Sequence, residues 1–292
     1  MLPPYTKRIY IFVIGVGLIF VLWSLLAPGG FVGGKIITIP EGTGLRGISS
    51  LLKNEDVIRS QLWFQAFSVL LGGERRMKAG EYSFSGWDPV PWVVWRITRG
   101  DRNIDTVKVT VPEGFTVEKI SNLFDERFPF FDNKLFERTA PEGYLFPDTY
   151  FMLVTATATS TIKVMHDNFV RKIFDLMPEV EHSGKSLENI ITMASLIEAE
   201  TKTQKDREMA SDVLWKRLKL GMPLQVDSEM GTYEFAGLPS KPINNPGLAS
   251  IKAAIHPTTT PYLYFLTGKD GNMHYAKTFD EHKANIAKYL PN

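Results

Sequence analysis

The chain has 292 residues, enough for two or three structural units rather than one small core. An apolar share of 44% against 22% charged is that of a folded protein, and 33 basic against 32 acidic side chains leave no net field to gather nucleic acid. Cysteine is absent, which excludes disulfides and thiolate chemistry, and five histidines without an i, i+4 pair point to no metal.

Residues 9–26 are almost wholly apolar, close to the roughly 20 that a membrane-spanning helix needs. Lys7 and Arg8 precede the run, which predicts a short N-terminus in the cytoplasm and everything after Lys35 outside. A cleaved signal peptide is the rival, but the run exceeds the roughly 7 to 15 residues of such a signal's apolar region. A permanent anchor in the cytoplasmic membrane is therefore expected, followed by a Gly-rich tether at 28–34, so that 1–35 form one N-terminal segment. Gly29 to Lys35 imitates a phosphate loop, but Ile36 stands where such a loop needs Ser or Thr.

An internal repeat follows. Ile37-Thr-Ile-Pro-Glu-Gly42 and the residues to Leu52 reappear as Val109-Thr-Val-Pro-Glu-Gly114 and the residues to Phe124. Each copy reads as a strand, a Pro-Glu-Gly turn and a short helix, the helices carrying Leu45, Ile48, Leu51 and Val117, Ile120, Leu123 on one apolar face. Two small units are expected, at 36–105 and 106–138. Trp63, Phe64, Phe67, Trp87, Trp92 and Trp95 suit packing first and sugar stacking second. The run from Phe128 to Phe131 is too apolar for a free linker, and Glu142-Gly-Tyr144-Leu-Phe-Pro-Asp148 has the Gly and Pro of a shaped loop. A helix over 162–176 reads as scaffold.

The 139–292 part is organised around a helix over 187–200, with Ser186 as its cap. Leu187, Ile190, Ile191, Ala194 and Ile197 share one side, and Glu198 falls among them, whereas Glu200 points the other way towards water. A carboxylate on that stripe loses hydration, which favours its protonated form, as a general acid requires. The position suits equally a buried carboxylate paired with Arg207 or Arg217. A second helix spans 206–220, with Gly221 as its stop. After it Leu224 and Val226 alternate with Gln225 and Asp227, as on the two faces of an extended segment. A helix near 248–255 and a strand at 262–266 follow, and the late His282 and Asn285, a helical turn apart, suit capping or packing.

These residues carry a resemblance. Ala194-Ser-Leu-Ile-Glu198-Ala-Glu200-Thr201 and Arg217-Leu-Lys-Leu-Gly221-Met-Pro-Leu-Gln225-Val-Asp227 resemble the catalytic core of the endolytic murein transglycosylase (YceG-like) family. Lys78-Ala-Gly-Glu-Tyr82, Glu142-Gly-Tyr144-Leu-Phe-Pro-Asp148-Thr-Tyr150, Gly237-Leu-Pro, Asn245-Pro-Gly-Leu-Ala-Ser-Ile-Lys-Ala-Ala254 and Pro261-Tyr-Leu-Tyr-Phe265 match in the same order. The resemblance implies an α+β protein with a transmembrane helix, two LysM-like units and a mixed α+β catalytic domain. It implies peptidoglycan glycan strands and the membrane as partners, cell-wall synthases as further candidates, and no cofactor. Glu198 would be the catalytic acid and then base, cutting the MurNAc–GlcNAc bond to leave 1,6-anhydro-MurNAc ends, and Gln225, Asp227, Glu142, Tyr144, Asp148, Tyr150 and Asn245 would meet substrate. One departure stands out: family members carry a longer segment after the Gln-x-Asp motif than Asp227-Ser-Glu-Met-Gly-Thr-Tyr233.

Neither G-x-S-x-G nor H-E-x-x-H occurs, so serine-hydrolase and zincin chemistry have no support. S-x-x-K occurs twice, without the S-D-N and K-T-G partners of a penicillin-binding site. Two alternatives stay open: a non-catalytic glycan-binding adaptor, and a muramidase that uses Glu198 with Asp227 or Glu229 as its second carboxylate.

Overall fold

The computed structural model describes residues 4–29, 34–73 and 75–290, with the side chains of 4–11 left aside. The chain divides between Asp105 and Thr106 into two compact units. The first runs α1 (Pro4–Leu25), β1 (Ile36–Ile39), α2 (Leu45–Asn54), α3 (Gln61–Leu70), β2 (Gly80–Ser83) and α4 (Val90–Arg99). β1 and β2 pair antiparallel, with Ile36 opposite Ser83 and Ile39 opposite Gly80. Ile37 and Ile39 point to one face of that ribbon, where they meet Ile48, Leu52, Phe64, Tyr82, Val93 and Ile97 in one apolar core. Phe64 is buried as packing requires, while Trp87, Trp92 and Trp95 are exposed and the last two stack on each other at 4.5 Å.

Among the described residues no helix is long and apolar enough to cross a membrane, so the spanning segment expected at 9–26 finds no support there. The described side chains of α1 begin at Phe12 and are mostly exposed. The charges of Lys7 and Arg8 and the tether residues 30–33 lie outside the described residues.

The second unit runs β3 (Thr106–Thr110), α5 (Val117–Asp125), α6 (Asn133–Thr139), β4 (Thr149–Leu153), α7 (Ala158–Phe174), α8 (Met177–His182), α9 (Leu187–Glu200) and α10 (Gln204–Lys219). It continues through α11 (Gly231–Glu234), α12 (Leu248–Ile255), β5 (Tyr264–Thr267), β6 (Met273–Ala276) and α13 (Phe279–Tyr289). β3 pairs antiparallel with β4 and β5 with β6. Together with the first unit's ribbon these make small two-stranded sheets among helices, an α+β arrangement.

The repeat proves larger than its sequence signal. Each copy is a strand, a turn, two helices and a returning strand: β1-α2-α3-β2 and β3-α5-α6-β4. The Pro-Glu-Gly turns share a left-handed glycine, with φ 77° at Gly42 and 74° at Gly114, a backbone state that costs glycine little. The sequence boundary drawn at 138/139 falls in the last turn of α6, inside the second copy. β3 needs β4 as its ladder partner, because its backbone N–H and C=O groups otherwise go unpaired.

α9 is the pillar of the second unit. Ser186 caps it by accepting from the Asn189 N–H at 3.2 Å. Every side chain from Ile190 to Ile197 is buried, so the helix has core on all sides rather than along one stripe. Ile190, Ile191, Ala194 and Ile197 sit in a core with Phe169, Leu214, Leu224, Ile251 and Ala254, contributed by α7, α10, α12 and the segment after α10.

Candidate active site

Glu198 lies in the last turn of α9, and its side chain is 7% exposed. Two elements reach it. Gly247, the cap residue before α12, donates its backbone N–H to Glu198 Oε2 at 3.0 Å. That N–H belongs to the set a helix start leaves unpaired, where partial positive charge attracts a carboxylate. From α10, Arg207 brings Nη2 to 3.5 Å from Glu198 Oε1. Arg207 is itself fixed by Ser250 Oγ at 3.1 Å and the Lys202 carbonyl at 3.2 Å. The arginine pairing and the near-buried carboxylate are thus both present.

The loop before α12 is stitched to its surroundings residue by residue. Ile243 N–H donates to Ser195 Oγ at 3.1 Å, and Asn244 Nδ2 donates to the Ser195 carbonyl at 2.8 Å. Asn245 N–H bonds the Phe115 carbonyl at 3.0 Å, and Gly114 N–H returns to the Asn245 carbonyl at 2.9 Å. The Pro-Glu-Gly turn of the second repeat is thereby clamped against Glu198. A side chain on Gly114 would begin 3.4 Å from Glu198 Cγ, and one on Gly247 would collide with the Glu113 carboxylate. Glu113 therefore packs on the residue whose N–H holds Glu198. Its proton affinity is raised, first by burial and then by the charge of Glu198, with Arg207 opposing. Sequence reasoning took this turn for a fold device only, although the glutamate in it is not needed for turning the chain.

Asp227 lies beside Glu200, and Gln225 is held by Arg217. Leu224 and Val226 are buried and Gln225 and Asp227 exposed, as the alternation predicts, but Gln225 sits at φ 52° and the segment turns instead of running straight. Arg217, buried at the end of α10, donates to the Leu224 carbonyl at 3.0 Å and to the Gln225 side chain. Tyr233 donates to Asp227. Glu200, expected in water, is half-buried and accepts from the Ser228 N–H at 3.1 Å. Burial raises its proton affinity, Ser228 works against this, and Asp227 adds to it. Glu229 folds back onto the Gly231 N–H at 3.2 Å. The short 227–233 segment closes into α11, and a cleft of about 640 Å³ beside it is lined by Glu142, Ser228, Glu229, Thr232, Phe235 and Lys241, among others.

A model of the YceG-like family matches residues 37–231 and 228–288 of this sequence. The chain belongs to the YceG-like family. The endolytic murein transglycosylase of Bacillus subtilis is 31% identical over 305 residues, covering 87% of this chain and 84% of that protein. The endolytic murein transglycosylase of Streptococcus pneumoniae strain D39 is 24% identical, covering 92% of this chain and 64% of its own length, so this chain spans a little under two thirds of it. A YceG-like protein of Listeria monocytogenes, seen in a crystal structure, superposes with a TM-score of 0.57 at 25% identity, over 86% of this chain and 98% of that one.

In this YceG-like chain the Glu142–Tyr150 stretch and Asn245 have most of their polar groups bonded within the protein. Glu142 accepts from the Val117 N–H at 3.0 and 3.1 Å and from Asn245 Nδ2 at 2.9 Å, capping α5 while also facing the cleft. Burial raises its proton affinity in spite of those donors. Asn245 is fully buried, with Oδ1 accepting from Leu145 N–H at 2.9 Å and Nδ2 donating to the Phe115 carbonyl at 3.0 Å. Tyr144 packs edge-on against Phe169 at 5.1 Å. Tyr150 is buried on β4, donates to the Phe146 carbonyl and accepts from Asn168 Nδ2 at 3.1 Å, and burial pushes its phenol up to about 12. Asp148 accepts from Asn168 Nδ2 at 3.1 Å and Thr149 N–H at 2.8 Å, facing a separate hollow with Arg171 and Lys172. The amide, phenol and carboxylates foreseen at the substrate are thus mostly spent on the protein, since buried polar groups are costly unless paired.

Proposed function

We propose that this protein is an endolytic murein transglycosylase that cuts peptidoglycan glycan strands between N-acetylmuramic acid and N-acetylglucosamine, leaving 1,6-anhydro ends. The observation that carries the reading is Glu198, a carboxylate almost withdrawn from water at the end of the central helix and oriented by Gly247 and Arg207. Family membership and the likeness to the endolytic murein transglycosylases of Bacillus and Streptococcus support it. Protonated Glu198 gives its proton to the bridging oxygen as the C1–O bond breaks. The carboxylate then takes the proton of the C6 hydroxyl as that oxygen closes on C1. No water is consumed, and a site shielded from solvent favours the internal attack.

Asp227 and Glu229 are poor second carboxylates for a hydrolase, because their contacts are with Tyr233, Gly231 and the Glu200 side of α9. Gln225 and Asp227 are assigned to sugars flanking the reacting one. The apolar run at 9–26, with Phe12, Ile14, Leu18, Phe20 and Leu22 exposed, supports anchoring of the N-terminus in the cytoplasmic membrane with the catalytic part outside. The two repeat units are assigned, as LysM-like modules, to contact with the strand.

The test is product chemistry. Full-length protein incubated with purified peptidoglycan should release fragments that mass spectrometry shows to lack one water, and Glu198→Gln should abolish them. Reducing-end products would replace the lyase reading with a hydrolase, and binding without products would leave an adaptor.

A further inference from the structure

The repeat offers an internal comparison. Glu41 and Glu113 hold the same place in two Pro-Glu-Gly turns whose glycines have nearly the same φ. In the first copy, side chains built on Gly42 and Gly44 would meet nothing within 4 Å. In the second, the turn closes on Glu198 and its glutamate on Gly247. The turn itself is set by proline and glycine, so the carboxylate in the second copy is free to serve chemistry.

We propose that Glu113 is a second carboxylate of the reaction, acting on the same sugar as Glu198 from the other side of Gly247. Three features support this placement. Both carboxylates touch one residue, Glu198 at the Gly247 N–H and Glu113 over its Cα, where only a glycine leaves room. The backbone carrying Glu113 is pinned by the paired bonds of Gly114 and Phe115 with Asn245, so the carboxylate is fixed without being tied down itself. Finally, Glu113 is exposed where Glu198 is shielded, which gives a bound strand access to it.

The inference rests on the transglycosylase reading and deepens it. The charged groups that face one another are Glu113 from the turn, Glu198 from α9 and Arg207 from α10. The proton the reaction needs is carried in on this pair, and burial together with the charge of Glu198 raises the proton affinity of Glu113, with Arg207 opposing. In the reaction that proton moves to the bridging oxygen and the C1–O bond breaks. The positive charge growing at C1 then lies before two carboxylates. The C6 oxygen bonds to C1, and its proton returns to the pair, which ends as it began. Glu113 forms no covalent bond and is regenerated with no other reactant.

Glu113→Gln keeps the shape of the side chain and removes only its charge. With full-length protein and purified glycan strands, kcat should fall about a hundredfold with little change in KM, as for loss of one group that meets transition-state charge. The alkaline limb of the pH profile should move to lower pH, because the carboxyl whose proton affinity burial and Glu198 raise has gone. Wild-type kcat with an unmoved profile overturns the proposal. An unfolded fraction scales the rate without moving the limbs, so the profile decides even where the variant is less stable. Glu198→Gln run in parallel separates the two ideas: if it is inert while Glu113→Gln behaves as wild type, only the role of Glu113 fails. If Glu198→Gln stays active, the reading of the site itself fails.

Discussion

Asn245→Ala is the most informative substitution besides Glu198→Gln, because it opposes a clamp to a substrate contact. The side chain is fully buried and makes three bonds, to Leu145 N–H, the Phe115 carbonyl and Glu142. After truncation Phe115 keeps the Asn245 N–H and Glu142 keeps the Val117 N–H. Leu145, itself buried, loses the acceptor of its N–H. One orphaned buried donor costs about 1–3 kcal/mol and each of the other two bonds about 1 kcal/mol net, so about 4 kcal/mol in all. For a unit of this size that corresponds to a fall of roughly 10 °C in the melting of residues 106–292. The assay is thermal unfolding of the full chain followed by circular dichroism, with amide exchange at Leu145 as the local readout. Faster exchange there and a lower Tm are expected. If Tm stays within about 2 °C of wild type while turnover disappears, the amide serves the substrate and the clamp is wrong.

Gly143→Ala should destabilise the second unit by about 2 kcal/mol or more, measured by urea unfolding, because Gly143 has φ 87° and a Cβ there would drive into Pro242 and come within 3.1 Å of Ile191. Asp148 yields a pH dependence. Burial opposes its ionisation, but the Asn168 and Thr149 N–H groups and the charges of Lys172 and Arg171 outweigh it and hold its proton affinity below the ordinary value of 3.8. Its stabilisation is thus complete above that ordinary value and is lost as the pH falls through the lower folded one. Asp148→Asn should lower the urea midpoint at about pH 6 and leave it unchanged at about pH 2.

Much of the architecture was legible because its causes are local. The caps at Ser186 and the apolar spacing along α9 announce that helix, and α12 falls over the residues foreseen for it. The alternation of Leu224 to Asp227 put the right side chains inside, even though a left-handed Gln225 bends the segment. β2 and β4 were not legible as partners of β1 and β3. They are strands of 4 and 5 residues that pair across some 40 positions, and no local pattern records which distant strand completes a ladder.

By itself the sequence determined that a lone glutamate sits on the apolar side of a capped helix, and which family the surrounding motifs resemble. Periodicity suffices for that, because burial of a helix face repeats every turn. Only the tertiary structure decided what Glu198 meets. Arg207 is nine residues away, Gly247 forty-nine and Glu113 eighty-five, and the loop carrying Gly247 is held there because Phe115 pairs its backbone with Asn245 and the Ser195 carbonyl accepts from Asn244. The same demand for partners gives Asn245, Glu142 and Tyr150 theirs within the protein.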